Sequence, residues 1–259
     1  MAAPLNRFKA SLAKGERSIG CWMGLCDPYA AEATARAGFD WVLIDAEHAP
    51  NDLASIARQL QVLDAHTSPI VRLPMGEPWL IKQVLDAGAQ SLLIPMVNSA
   101  EEARALVRAM RYPPEGIRGM GYVLGRASHF GTVADYAATA NDQMCLIVQV
   151  ETRAGLDALD EILEVDGVDA VFVGPADLAA DMGHTTNPNA PEMQAVVAET
   201  LRRIAASDKA AGIIDFDDKA LAQHFENGAQ FVAVGADVVF LARGLRALAT
   251  KWQDHIADA

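Results

Sequence analysis

The chain has 259 residues, about half of them hydrophobic, and a formal net charge of −13, with a sequence pI near 4.8. That much apolar sequence supports a sizeable core, and with no long Ser/Pro/Gly linker the chain reads as one barrel-sized domain, residues 1–259. The acidic balance argues against a nucleic-acid partner, which needs a basic face, and against an anionic membrane surface; a small anionic substrate would have to be met by a local arginine or metal.

In chain order, the N-terminal stretch MAAPLNRFKASLAKGERS has no apolar signal core, and no run of about 18 apolar residues suggests a membrane span. The first strand candidate is IGCWM (19–23), followed by a helical pattern over 28–38. WVLID (41–45) is the second strand, with Glu47 and His48 just beyond it. A helix over 51–65 follows, with Asn51 or Asp52 as N-cap. PIVRL (69–73) carries Arg72; a helix over 77–88 stops at Gly88. SLLIP (91–95) and a helix over 99–111 come next. Residues 112–131 contain five Gly, two Pro and no period, and a loop of that length is unusual unless functional; it is expected to cover a barrel mouth or meet a neighbouring subunit. Four more strand candidates are MCLIVQVE (144–151), DAVFVG (169–174), GIID (212–215) and FVAVGAD (231–237). Cys21, Cys26 and Cys145 are odd in number and lack CxxC spacing, as expected of free thiols in a reducing cytoplasm.

The strand candidates are rich in Val, Ile and Leu without strict alternation, as in parallel sheets buried on both faces. Eight of them separated by helices predict an α/β fold, a (β/α)8 TIM barrel. A doubly wound open sheet is the rival, but its Gly-rich first turn, GxGxxG, is absent.

A barrel of this kind places its active site at the C-terminal strand ends. There lie Asp45, Glu47, His48, Arg72, Gln149, Glu151, Gly174, Ala176 and Asp177. Glu151 and Asp177 form the natural metal pair, suited with waters and a substrate oxygen to an octahedral hard cation; either acid alone equally fits the start of the following helix. Arg72 points either to a developing oxyanion or to a structural ion pair with Asp45 or another mouth acid. His48 reads as a general base or as an exposed loop histidine, and Asp86 as its orienting partner or as a solvated helix acid. Arg118 and Arg126 read as partners for a substrate carboxylate or as salt-bridge residues. No lysine lies in or just after a strand core, which disfavours Schiff-base chemistry; GxSxG and GxxxxGK[ST] are also absent.

The stretches AGFDWVLIDAEHAPND, VRLP, VLDAGAQSLLIPMV, RYPPEGIRG, VQVET and VFVGPADLAADMG, spread over nearly the whole chain, resemble the HpcH/HpaI family of class II, metal-dependent pyruvate aldolases. The resemblance implies a barrel of the phosphoenolpyruvate/pyruvate-binding type and reversible retro-aldol cleavage of 4-hydroxy-2-oxo acids to pyruvate, or a related 2-oxo acid, and an aldehyde, through a metal-bound enolate. It implies a divalent cation (Mg2+, Mn2+ or Co2+) on Glu151 and Asp177, and Gln149, Gly174, Ala176, Asp177 and Arg72 around the substrate. It makes Arg72 the group that stabilises the enolate, His48 the base acting through a water, Asp86 the residue that raises its basicity, and Asp45 the support of Arg72 and His48. It further implies a homohexamer, a trimer of dimers exchanging the C-terminal helix, and a role in aromatic catabolism. The rival functions are an acyl-CoA lyase of the malyl or citryl type on the same barrel and a non-catalytic 2-oxo acid-binding barrel.

Overall fold

A computed structural model of the protein describes residues 1–258. In chain order the elements are α1 (Arg7–Ala13), β1 (Ser18–Met23), α2 (Pro28–Ala35), β2 (Trp41–Asp45), α3 (Leu53–Leu63), β3 (Ser68–Arg72), α4 (Pro78–Asp86), β4 (Ser91–Ile94), α5 (Ala100–Met110), α6 (Tyr136–Gln143), β5 (Cys145–Val150), α7 (Arg153–Asp157), α8 (Leu159–Leu163), β6 (Val168–Val173), α9 (Pro175–Asp181), α10 (Pro191–Ala205), β7 (Ala210–Ile214), α11 (Asp218–Glu226), β8 (Phe231–Ala236) and α12 (Asp237–Ala257). Each strand pairs in parallel with the next, and β8 returns to β1 to close the barrel. The fold is the expected (β/α)8 barrel.

Closure explains why the strands do not alternate in polarity. One set of side chains, among them Trp22, Leu43, Ile70, Leu93, Ile147, Phe172, Phe231 and Ala233, fills the bore. The other set, such as Val42, Ile44, Val71, Val148, Val150, Val171 and Ile213, packs outward against the helices. Both faces are dry, so both are apolar. The bore is closed at the N-terminal end of the strands by α1, for which the sequence reading had no helix. Its Phe8 meets Trp41 and Phe231 edge-on, with ring centroids 6.1 and 5.3 Å apart, and Asn6 caps it by accepting from the Lys9 N–H.

The helices predicted from periodicity are present with shorter ends. Asp52, not Asn51, caps α3 in a capping box with Ser55, which frees the Asn51 amide to donate to the Asp45 carbonyl at 2.6 Å. Gly88 adopts φ 113° just past α4, a left-handed position that favours glycine.

Of the two expectations for the segment 112–131, that it covers the barrel mouth is corrected. It joins a helix, α5, to the next helix and strand, α6 and β5. In a β/α repeat a chain leaving a helix returns to the N-terminal face of the sheet, so the segment lies opposite the mouth and does not cover it. It holds two short 3-10 turns, Tyr122–Leu124 and Arg126–Ser128. Tyr122 packs against Tyr112 and Tyr136. Ile117, Met120, Val123, Leu124 and Phe130 remain exposed. The last helix, α12, buries none of its residues and exposes Val238, Phe240, Leu241, Leu245, Leu248, Trp252 and Ile256. Among the described residues no helix is long and apolar enough to cross a membrane. All three cysteines are free.

Candidate active site

The two-residue period of a strand decides which side chains reach the bore. On β2, Leu43 faces inward and Ile44 outward, so Asp45 faces inward. On β3 the same phase carries Ile70 and then Arg72 inward, and Asp45 and Arg72 are register partners. On β5, Ile147 faces inward, Val148 and Val150 outward, and Gln149 and Glu151 continue the inward set. The apolar Val150 between two polar residues is therefore a helix-layer contact, and Gln149 and Glu151 share the bore. Asp45, Arg72, Gln149 and Glu151 are each more than nine-tenths buried.

A buried charge needs partners, and Arg72 has several. Its Nε donates to Asp45 Oδ1 at 2.9 Å and its Nη2 to Asp45 Oδ2 at 2.6 Å. Nη1 lies 2.8 Å from Glu47 Oε2, close enough for charge pairing but without hydrogen-bond alignment, since that oxygen makes no hydrogen bond. The guanidinium also sits over the Trp22 ring, 5.1 Å from its centroid. Burial alone would raise the Asp45 carboxyl, but the Arg72 hydrogen bonds and charge, with the N–H groups of Glu47 and His48, hold it below the usual carboxylate range. Glu47 shifts the other way: burial outweighs the attraction of Arg72, and Asp45 and Asp177 add repulsion.

Glu151 is pushed up to about 7, first by burial and then by the charges of Asp177 and Glu47, against the stabilising N–H of Met96. Met96 donates to Glu151 Oε1 at 2.8 Å; Gln149 Nε2 donates to Glu151 Oε2 in a short hydrogen bond. Asp177 stands in the first turn of α9, exposed at the mouth, directly after Gly174, Pro175 and Ala176. Gln149 Oε1 is buried without a partner. A Cβ at Gly174 would strike the Glu151 carboxylate and the Gln149 amide, so the glycine leaves a cradle beside both.

These features fit a divalent cation. Glu151 and Asp177 are oxygen donors whose charges repel each other, neither makes a salt bridge among the described residues, and hard cations take such oxygens. Among the described residues no three His, Cys, Asp or Glu side chains cluster tightly enough to enclose a metal; a cation on two carboxylates keeps positions open for substrate and water.

His48 is at the same mouth. Its side chain is 66% exposed, and Glu47 Oε2 is 4.0 Å from Nε2. Asp86 is elsewhere. It ends α4 and accepts from Arg118 Nη2 at 2.7 Å. Because α4 runs antiparallel to the strands, its nine residues carry Asp86 roughly 13 Å back towards the N-terminal face, so the expected Asp86–His48 dyad is not made within one chain. Arg118, its side chain fully buried, and Arg126, paired with Asp64, occupy intrachain ion pairs on that far face. Neither serves a substrate in its own mouth. Asp215, after β7, faces outward and pairs with His224 at 2.9 Å, beside a cavity of about 710 Å³ that α10 and α11 line together with Pro175 and Ala176.

Three contributors escaped the sequence reading. Glu47 was placed at the mouth without a role. Trp22 was hidden as one more apolar residue, although its inward phase on β1 signals it. Met96 acts through its backbone N–H, for which side-chain identity carries no signal.

Residues 18–243 match the family model described as HpcH/HpaI aldolase/citrate lyase. The chain is 62% identical over 254 residues to the hydroxypyruvate/pyruvate aldolase of Roseovarius nubinhibens, covering 98% of this chain and 99% of that one. It is 53% identical over 248 residues to the 4-hydroxy-2-oxo-heptane-1,7-dioate aldolase of Klebsiella pneumoniae, covering 95% and 94%. The crystal structure of an HpcH/HpaI aldolase/citrate lyase family protein from Burkholderia cenocepacia superposes with a TM-score of 0.91 at 40% identity, covering 96% and 99%.

Proposed function

The chain belongs to the HpcH/HpaI aldolase/citrate lyase family, and on that premise we propose how its residues work as an aldolase. It is a carbon–carbon lyase that cleaves 4-hydroxy-2-oxo acids reversibly to pyruvate, or a related 2-oxo acid, and an aldehyde. The observation that carries the division of roles is the convergence at one mouth of a fixed cation, Arg72, with the acids Glu151 and Asp177, neither of which makes a salt bridge among the described residues.

Glu151 and Asp177 would hold the divalent cation, Mg2+, Mn2+ or Co2+, which when bound supplies Lewis acidity to the 2-oxo acid. Gln149, with its unpartnered Oε1, and the backbone at Gly174 and Ala176 shape the cradle for the pyruvyl group. Cleavage breaks the C3–C4 bond. The 4-hydroxyl proton leaves to His48 through a water, C4 becomes the aldehyde carbonyl, and the electron pair moves to the 2-oxo oxygen as an enolate. Arg72 opposes that developing charge with a guanidinium that Asp45 holds in place; N–H groups on Nη1 and Nη2 remain free of hydrogen bonds to Asp45. His48 returns a proton to C3.

The partner of His48 comes from a second copy. Asp86 cannot reach its own mouth, and the exposed apolar tip of 112–131 beside it, with the apolar face of α12, favours an assembly that covers both. The expected hexamer with exchanged C-terminal helices satisfies this. A cytoplasmic location and a place in aromatic catabolism belong to the same reading.

The test is pyruvate C3 deuterium exchange followed by NMR on chelated protein, with and without Mg2+ or Mn2+. Exchange that appears only on adding the cation supports the reading. No exchange in either condition overturns it, and cleavage confined to CoA thioesters would turn it to the acyl-CoA lyase.

A further inference from the structure

The loop after β4 is built around a conformation that its residues do not favour. Met96 has φ 57°, a left-handed backbone costly for a side-chain-bearing residue and kept only where its surroundings enforce it. This conformation aims the Met96 N–H at Glu151 Oε1, 2.8 Å away. The next residue, Val97, donates its N–H to the Gln149 carbonyl at 3.1 Å, so the loop runs against the end of β5.

One side chain ties the arrangement together. Asn98 Nδ2 donates to the Met96 carbonyl at 2.9 Å. Asn98 Oδ1 accepts from the Thr152 hydroxyl, and Thr152, which follows Glu151 in the chain, caps α7 by accepting from the Gly155 N–H at 3.0 Å. Asn98 is itself fixed, because its N–H donates to Glu102 Oε2 at 2.7 Å. The Asn98 amide thus holds both the residue that orients the Glu151 carboxylate and the residue that anchors the Glu151 backbone.

We propose that Asn98 is a positioning residue for the cation site: by fixing left-handed Met96 against Thr152 it sets the direction of Glu151 Oε1. The inference rests on the reading of Glu151 as a cation ligand. A partner of this kind, one step behind a ligand, typically controls about 10–100-fold in metal affinity.

The test is Mn2+ binding to chelated full-length protein, read from the free Mn2+ signal in electron paramagnetic resonance, with folding of every variant checked by circular dichroism. Asn98→Ala is expected to weaken Mn2+ binding by about 10–100-fold. Met96→Gly added to Asn98→Ala is expected to recover most of that loss, since glycine takes positive φ without enforcement. Weakening without recovery would assign Asn98 a general packing role and overturn the proposal. Wild-type affinity in Asn98→Ala would overturn it as well. Wild-type protein that binds no Mn2+ would instead remove the ligand role of Glu151 and this proposal with it.

Discussion

Arg72 and Asp45 are cross-strand register partners joined by two parallel hydrogen bonds, Nε to Oδ1 and Nη2 to Oδ2. The fork fixes the guanidinium plane, and Trp22 below and Glu47 beside it leave little freedom to turn. A point charge on a flexible stem cannot reproduce this.

Arg72→Lys is therefore expected to keep the positive charge and lose the alignment. Aldol cleavage should fall about 10²–10³-fold, and pyruvate proton exchange should fall with it. Steady-state kinetics with deuterium exchange measure both, and near-normal values would remove the enolate role. Arg72→Ala should in addition cost roughly 3–5 kcal/mol of stability, because it leaves the Asp45 carboxylate buried without its partner.

Glu151 links stability to pH in the metal-free protein. Its folded value, about 7, lies above the ordinary 4.5, so between these values the folded state holds more protons than the unfolded one. Stability is then highest below about pH 4.5, as far as this group is concerned, and declines as pH rises to about 7. At about 1.4 kcal/mol for each pH unit the loss approaches roughly 3 kcal/mol. Glu47, also raised, acts in the same direction. Asp45 and Asp215 are lowered, and their contribution is lost only below the ordinary Asp range. Urea titrations of chelated protein from pH 5 to 8 should show the decline, Glu151→Gln should flatten it, and a flat wild-type profile would contradict it.

Gly174→Ala places a methyl group against the Glu151 carboxylate and the Gln149 amide. The neighbours are rigidly held in the bore, so the cradle, not the fold, should give way. Pyruvate affinity measured by calorimetry is expected to drop at least about tenfold, about 1.4 kcal/mol, with the far-ultraviolet spectrum unchanged. Unaltered affinity would place the pyruvyl group elsewhere.

The separation of His48 and Asp86 can be tested by complementation. His48→Ala and Asp86→Ala chains should each be nearly inactive alone. Co-expressed, they should regain activity, because some mouths then combine an intact His48 with an intact Asp86 from another chain. No recovery in verified mixed assemblies would confine Asp86 to its ion pair with Arg118.

The barrel was legible because burial on both faces leaves a strong mark, runs of Val, Ile and Leu at regular intervals between helical patterns. Asp45, Arg72, Gln149 and Glu151 were legible as polar breaks at the ends of such runs. Location of Asp86 was not, since a helix acid carries no sign of which barrel it serves. That 112–131 does not cover the mouth was not legible from its composition, because the preceding α5 reverses the chain and delivers the segment to the other end. Backbone contributions such as the Met96 N–H leave no trace in composition.

The alternation on β5 makes its chemistry a matter of phase. Deleting Leu146 while Cys145 keeps its place in the ladder would slip the rest of the strand by one position, turn Val148 and Val150 into the bore and send Gln149 and Glu151 into the helix layer. Hydrophobic content would barely change, and the strand would still read as a strand. Two deletions would restore the phase and shorten the reach. In this barrel the parity of the sequence, as much as its identity, determines whether the mouth has its acid.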